Sequence, residues 1–258
     1  YRPGKEEDLI LEKTFQKAVS GGLSLVDTAD SYGTGFLNGR SESLLGQFID
    51  QLPPREREAL KIATKLAPYP WRLGNKGFQK AFLASQKRLK GHLNRVQLHW
   101  STERYAPWQE GPLIDNLSYL VEEGYVQEIG VSNIGPDKLK LIYKKLKDRG
   151  VCLKSLQLQF SLLSPQDRLD SKTNIIDICK RLEIDFIAYS PLALGILTMP
   201  VGEEKVPSTI LRKAIFNKVV PASQNLRQIV QKIAKDNSAS SAQVALNWCR
   251  SHGALPIP

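Results

Sequence analysis

The chain has 258 residues, 41% of them hydrophobic and 24% charged, an ordinary globular composition that excludes a disordered or collagen-like polymer. Its 36 basic against 26 acidic residues leave a net charge of +10, which admits nucleic acid, an anionic membrane or a phosphorylated small molecule without choosing among them. Cys152, Cys179 and Cys249 are odd in number, far apart and never spaced C-x-x-C, so neither a disulfide framework nor a metal site is encoded and a reducing compartment is expected.

Taken in chain order, helical apolar spacing and short β-rich runs alternate. The spacing predicts helices over 6–20, 41–51, 77–90, 113–123, 137–148, 174–182, 224–236 and 241–252. Strands are predicted between them at 23–26, 60–63, 95–98, 127–131, 155–159, 184–188 and 254–257. Residues 195–223, with Pro200, Pro207 and Pro221, read as an insertion loop with at most a short helix. The densest basic stretch, Lys138, Lys140, Lys144, Lys145, Lys147 and Arg149, is interleaved with Leu139, Leu141, Ile142 and Leu146. That is the wet face of an amphipathic helix, and no nucleic-acid motif accompanies it. No run of about 18 apolar residues and no signal segment is present, so a soluble chain without membrane insertion is expected. Tyr1 in place of Met implies processing, an engineered start or sequence missing before it.

Alternating β and α units argue a parallel α/β sheet covered by helices, either a (β/α)8 TIM barrel or an open doubly wound sheet. The latter calls for G-x-G-x-x-G directly after its first strand. Gly33, Gly35 and Gly39 have the wrong spacing and start six residues late, so they read as loop glycines. Polar residues cluster instead at the carboxyl ends of the predicted strands: Asp27, Lys65, His99, Ser132 with Asn133, Gln157, and Tyr189 with Ser190. In a barrel those ends converge on one face. Singly, Asp27 would be a cap, Lys65 a solvated strand end and His99 a core histidine; an acid, a lysine and an imidazole on successive strand ends argue for a site. A tyrosine hydroxyl ionises near pH 10, and a neighbouring ammonium favours its phenolate. Lys65 would supply that charge to Tyr32, Asp27 would hold Lys65, and His99 would orient a carbonyl oxygen or share the proton, the parts of a carbonyl-reducing site.

The segments Leu25-Val26-Asp27-Thr28-Ala29-Asp30-Ser31-Tyr32-Gly33, Ala63-Thr64-Lys65, Gln97-Leu98-His99-Trp100, Gly130-Val131-Ser132-Asn133 and Ala188-Tyr189-Ser190-Pro191-Leu192 resemble, in order, the aldo-keto reductase superfamily. The motifs Ala67-Pro68-Tyr69-Pro70-Trp71-Arg72 and Tyr105-Ala106-Pro107 are similar to those of its plant and cyanobacterial pyridoxal-reductase-like members. The resemblance implies a TIM barrel that binds NADPH without a Rossmann fold. It implies a catalytic tetrad of Asp27, Tyr32, Lys65 and His99, with Tyr32 as acid. Ser132, Asn133 and Gln157 would hold the nicotinamide carboxamide, Tyr189 would stack on the ring, and Ser190, Pro191 and Leu192 would touch the pyrophosphate. Trp71 and Trp100 are candidate walls of the substrate pocket.

Against the family pattern, the first barrel strand and the segment after the last strand are absent from the chain, so residues 1–258 are expected to form one barrel domain incomplete at both ends. A fragment of a longer protein, or ends supplied by a partner, are the two expectations. The implied activity is reduction of an aldehyde or ketone, a pyridoxal-like carbonyl among them, in cytoplasm or plastid stroma. The alternative is a non-catalytic or weakly catalytic subunit held in a larger protein assembly.

Overall fold

Buried apolar runs too short to be helices become parallel strands, and each parallel connection needs a long crossover, which amphipathic helices supply. The computed structural model describes residues 5–33, 38–72, 74–165, 174–202, 207 and 209–258. Two compact units are formed, Tyr1–Lys154 and Ser155–Pro258.

The first unit runs α1 (Lys5–Ser20), β1 (Leu25–Asp27), α2 (Arg40–Asp50), α3 (Pro54–Ala59), β2 (Lys61–Leu66), α4 (Asn75–Arg88), β3 (Arg95–Leu98), α5 (Glu110–Glu122), β4 (Glu128–Ser132) and α6 (Pro136–Lys147). Its strands pair in sequence order and in parallel: Asp27 is opposite Ala63, Lys65 opposite Gln97, and Leu98 opposite Val131. The core lies between strand residues such as Ile62, Val96 and Ile129 and the inner helix faces, represented by Phe78, Phe82, Leu113, Leu117, Leu139 and Leu146. A buried acid ties the layers together: Glu42 of α2 accepts from Thr64 of β2 and, at 2.7 Å, from Nε of Arg88 of α4.

The basic stretch lies along α6, as its spacing predicts, with Arg149 in the turn that follows the helix. Lys145 and Arg149 pair with Asp115 of α5, Arg149 also with Glu122, and Lys138 with Glu103 and Glu110.

The second unit holds most of β5 (Leu153–Gln159), then α7 (Ile175–Arg181), β6 (Asp185–Tyr189), α8 (Ile210–Ala222), α9 (Gln224–Asp236), α10 (Ser241–Ser251) and β7 (Leu255–Ile257). Again neighbours in sequence pair in parallel, with Gln159 opposite Tyr189 and Ala188 opposite Pro256. Two helix starts are set by side chains: Asn174 Oδ1 accepts from the N–H groups of Ile176 and Asp177 at the start of α7, and Ser240 with Gln243 forms a reciprocal capping box at the start of α10.

The reading of 195–223 as a loop is corrected. A short 3₁₀ stretch, Ala193–Thr198, and the 13-residue helix α8 occupy the described part, with Pro221 falling in the helix's last turn. Phe216 of α8 packs with Ala193, Ile196, Leu197 and Ala245 in a small core. The six-residue α3 was also unforeseen. Gly35 and residues 203–206 and 208 of the predicted loop lie outside the described residues.

Candidate active site

Parallel register is what assembles the site, because it places the carboxyl ends of adjacent strands side by side. Asp27 ends β1, Lys65 sits one residue before the end of β2, and His99 follows β3. The Lys65 ammonium forms an ion pair with Asp27 Oδ2, with the side chains 1% and 3% exposed, and donates to the Thr28 carbonyl at 2.8 Å. Gln97, fully buried on β3, donates from Nε2 to the other Asp27 oxygen at 2.8 Å. Asp27 is therefore oriented from two neighbouring strands, and a buried charge pair is tolerated only with such hydrogen bonding.

Tyr32 lies on the turn after β1, where its N–H donates to the Ala29 carbonyl. Tyr32 is 41% exposed, and the Lys65 ammonium lies 4.9 Å from the centroid of its ring. The His99 ring approaches it edge-on at 5.9 Å. His99 Nδ1 is 3.3 Å from the Ser31 hydroxyl. Burial, and then the nearby Lys65 charge, push the His99 imidazole down to about 4, so the ring is neutral at pH 7. The structure thus brings Asp27, Tyr32, Lys65 and His99 into one group.

Ser132 ends β4, and Asn133 follows it in a left-handed conformation with φ of 57°. The Asn133 amide donates to the His99 carbonyl and to the Ser132 hydroxyl, both at 3.2 Å, which joins these two residues to the group. Trp100 packs beside His99 at 4.8 Å between ring centroids. Trp71 is further out and reaches the group through Tyr69, on which it stacks at 4.6 Å. A cleft of about 400 Å³ opens beside Asp27, Thr28 and Tyr32, walled by Leu11, Phe15, Leu44 and Phe48.

In the second unit, Gln157 is buried in β5, Tyr189 is the last residue of β6, and Pro191 is buried in the turn that follows. Ser190, Ala193 and Leu194 all have positive φ, at 50°, 49° and 58°, and Gly195 continues the turn at 88°. Non-glycine residues rarely adopt such values, and they concentrate where a backbone must approach a ligand.

Sequence reasoning gave no role to Gln97, Asp30, Tyr69, Arg72 or Tyr105. For Gln97 a signal existed: a polar residue in the middle of a strand buried at every position requires a partner. The buried thiols Cys179 and Cys249 are pushed up by desolvation, to about 12 and about 11, and are not nucleophiles at neutral pH. Among the described residues no cluster of acids, histidines and cysteines suits a metal ion, and no helix is long and apolar enough to cross a membrane.

Known proteins resemble this chain along most of its length. The chain is 46% identical over 253 residues to the chloroplastic pyridoxal reductase of Arabidopsis thaliana, covering 96% of this chain and 68% of that protein. It is 26% identical to the methylglyoxal reductase YeaE of Escherichia coli, over 92% of this chain and 69% of that one. Among solved structures, a glycerol dehydrogenase from Gluconobacter oxydans superposes with a TM-score of 0.79 at 20% identity, covering 99% of this chain and 77% of the other. Family members are oxidoreductases that act on carbonyl compounds and use nicotinamide cofactors. The model of the aldo/keto reductase family matches residues 7–258, and the chain belongs to that family of (β/α)8-barrel oxidoreductases.

Proposed function

We propose that this chain is an NADPH-dependent reductase of aldehydes or ketones, a pyridoxal-like carbonyl among them, with Tyr32 as the proton donor. The observation that carries this reading is the buried Asp27–Lys65 pair with its ammonium against the ring of the accessible Tyr32. As a carbonyl is reduced, its oxygen gains negative charge and takes a proton. The Tyr32 hydroxyl gives that proton, and the adjacent ammonium stabilises the charge left on the phenolic oxygen. Asp27, oriented by Gln97, keeps the ammonium aimed. His99, neutral at working pH, donates its N–H to the substrate oxygen from Nε2 in this reading, which leaves Nδ1 to accept from the Ser31 hydroxyl 3.3 Å away.

The chemistry of the available groups fits a nicotinamide dinucleotide. Ser132, Asn133 and Gln157 offer the hydroxyl and amides that a carboxamide pairs with. Tyr189 offers a ring face for stacking, and the turn of Ser190, Pro191 and Leu192, in which Ser190 is left-handed, offers the backbone N–H groups of Ser190 and Leu192 to a diphosphate. When bound, NADPH supplies the hydride. Trp100, and beyond it Trp71, wall the substrate side.

Residues 1–258 act in this reading as one barrel domain, and the chloroplastic relative favours a plastid location. Fluorescence titration with NADPH and NADH, followed by a panel of carbonyls that includes pyridoxal, tests it. Tight NADPH binding with turnover supports the reading. Binding without turnover of any carbonyl replaces it with the non-catalytic subunit, and no binding of either cofactor refutes both.

A further inference from the structure

The β1–β2 ladder does not stop where β1 ends. Thr28 N–H donates to the Ala63 carbonyl at 2.9 Å and Asp30 N–H to the Lys65 carbonyl at 3.0 Å. At the next position the chain has turned away toward Tyr32, and the Asp30 carboxylate takes the place of a backbone acceptor, receiving the Ala67 N–H on Oδ1 at 3.2 Å. Its other oxygen forms an ion pair with Arg72. One carboxylate, 1% exposed, therefore holds both ends of segment 67–72.

That segment carries Tyr69 and Trp71, stacked at 4.6 Å and 8° from parallel. The Arg72 guanidinium, besides pairing with Asp30, lies 5.2 Å from the Tyr69 ring centre. Tyr69 meets Trp100 edge-on at 5.5 Å. Tyr105 closes the arrangement from the other side, since its hydroxyl accepts from Trp100 Nε1 at 3.0 Å and donates to the Pro68 carbonyl. A continuous run of rings thus leads from Tyr32 through His99, Trp100 and Tyr69 to Trp71, which is 76% exposed. A buried ion pair adds little to stability over an apolar replacement, so what the Asp30–Arg72 pair supplies is position.

We propose that Asp30 is a positioning residue that fixes the Tyr69–Trp71 and Trp100 wall to the turn carrying Tyr32, so that ring-bearing carbonyls are aligned on the proton donor while small aliphatic ones are not. This rests on the carbonyl-reductase reading for its kinetics and on the wall alone for binding. Asp30→Asn keeps an acceptor for Ala67 but releases Arg72. It should lower the ratio of kcat/KM for benzaldehyde over propanal about tenfold, the scale of one lost aromatic contact, through KM rather than kcat for benzaldehyde. Arg72→Met should do the same, and Arg72→Lys should recover most of the ratio.

Binding of benzyl alcohol, followed by tryptophan fluorescence, reads the wall without turnover and should weaken by a similar factor in Asp30→Asn and in Trp71→Ala. If Asp30→Asn fails to fold, the Arg72 and Trp71 variants carry the test from the solvent side. An unchanged ratio, or equal loss toward both aldehydes, overturns the proposal. A parent that binds benzyl alcohol through Trp71 but reduces no aldehyde refutes the carbonyl-reductase reading and leaves the wall standing. A parent that neither binds the alcohol nor discriminates between the aldehydes refutes the wall.

Discussion

Replacing Lys65 by methionine separates what the buried pair does for stability from what it does for chemistry. The substitution keeps an unbranched side chain of similar length but leaves Asp27, whose side chain is 3% exposed, without its ammonium. Breaking a buried ion pair from one side costs about 3–5 kcal/mol. For a chain of this size each kcal/mol moves the melting temperature by roughly 2–4 °C, so Lys65→Met should melt roughly 6–20 °C lower than the parent. In the double variant, Asp27→Asn with Lys65→Met, neither charge remains, and the side-chain carbonyl that replaces the carboxylate can still accept from Gln97. What stays lost is the 2.8 Å bond to the Thr28 carbonyl, so the double variant should lie only about 1 kcal/mol below the parent. Urea unfolding followed by far-UV circular dichroism measures both, and an unchanged m-value assigns the difference to stability. Turnover behaves differently, because the charge beside Tyr32 is missing in both variants. Both should fall by about 10² or more in kcat. A Lys65→Met protein within about 1 kcal/mol of the parent would refute the claim that the pair is desolvated and coupled, and a double variant that regains turnover would refute a role for the Lys65 charge.

Tyr32→Phe removes the proposed proton donor alone and should lower kcat by about 10² or more while NADPH affinity, read by fluorescence, stays nearly constant; unchanged turnover would move the acid elsewhere. Tyr189→Ala should weaken NADPH binding by about 1–2 kcal/mol, as loss of a stacking partner does, and equal affinity in variant and parent would exclude Tyr189 as that partner. His99 titrates at about 4 in the folded chain because of burial and then Lys65, against an ordinary 6.5. Between those values the unfolded chain binds more protons, so stability rises with pH across that window, and about 3 kcal/mol is lost as pH falls from 6.5 to 4. His99→Asn should flatten that slope in urea midpoints taken across the window, and a parallel profile would show that the imidazole is not the group responsible.

The elements that sequence located best are those whose neighbours leave no choice of boundary. β3 spans Arg95–Leu98 and α9 spans Gln224–Asp236, as the spacing predicts. β3 is four buried residues between Asn94 and His99, and α9 repeats Leu226, Ile229, Val230 and Ile233 along one face before its charged end. Neither missed helix offers such a pattern. α3 buries no residue at all, so it has no apolar stripe to show. In α8 Ile215, Phe216, Val219 and Val220 share a face, but Ile210 lies off it and is 89% exposed, and Pro221 argues against a helix, so the apolar stripe spans too few residues to be read from sequence.

The same distinction divides the site. Asp27, Lys65 and His99 were legible because parallel strands in register bring their ends together whatever the loops do, so position along a strand is already position in space. Asp30 and Arg72 are 42 residues apart, and Tyr105 is 37 residues from the Pro68 carbonyl it binds. Those partners meet through turns with no periodicity, and nothing in a turn's sequence says which distant carbonyl or guanidinium it will face. What sequence does carry there is a constraint of another kind: a buried carboxylate such as Asp30 must find donors. Burial first, with Glu42 nearby, pushes its carboxyl up by more than Arg72 and the Ala67 N–H pull it down, a shift that only the folded loop can set. Asp27, Lys65 and His99 on strand ends are therefore fixed by the framework, whereas Asp30, Arg72 and Tyr105, the groups proposed to set the substrate wall, are fixed by loop partners.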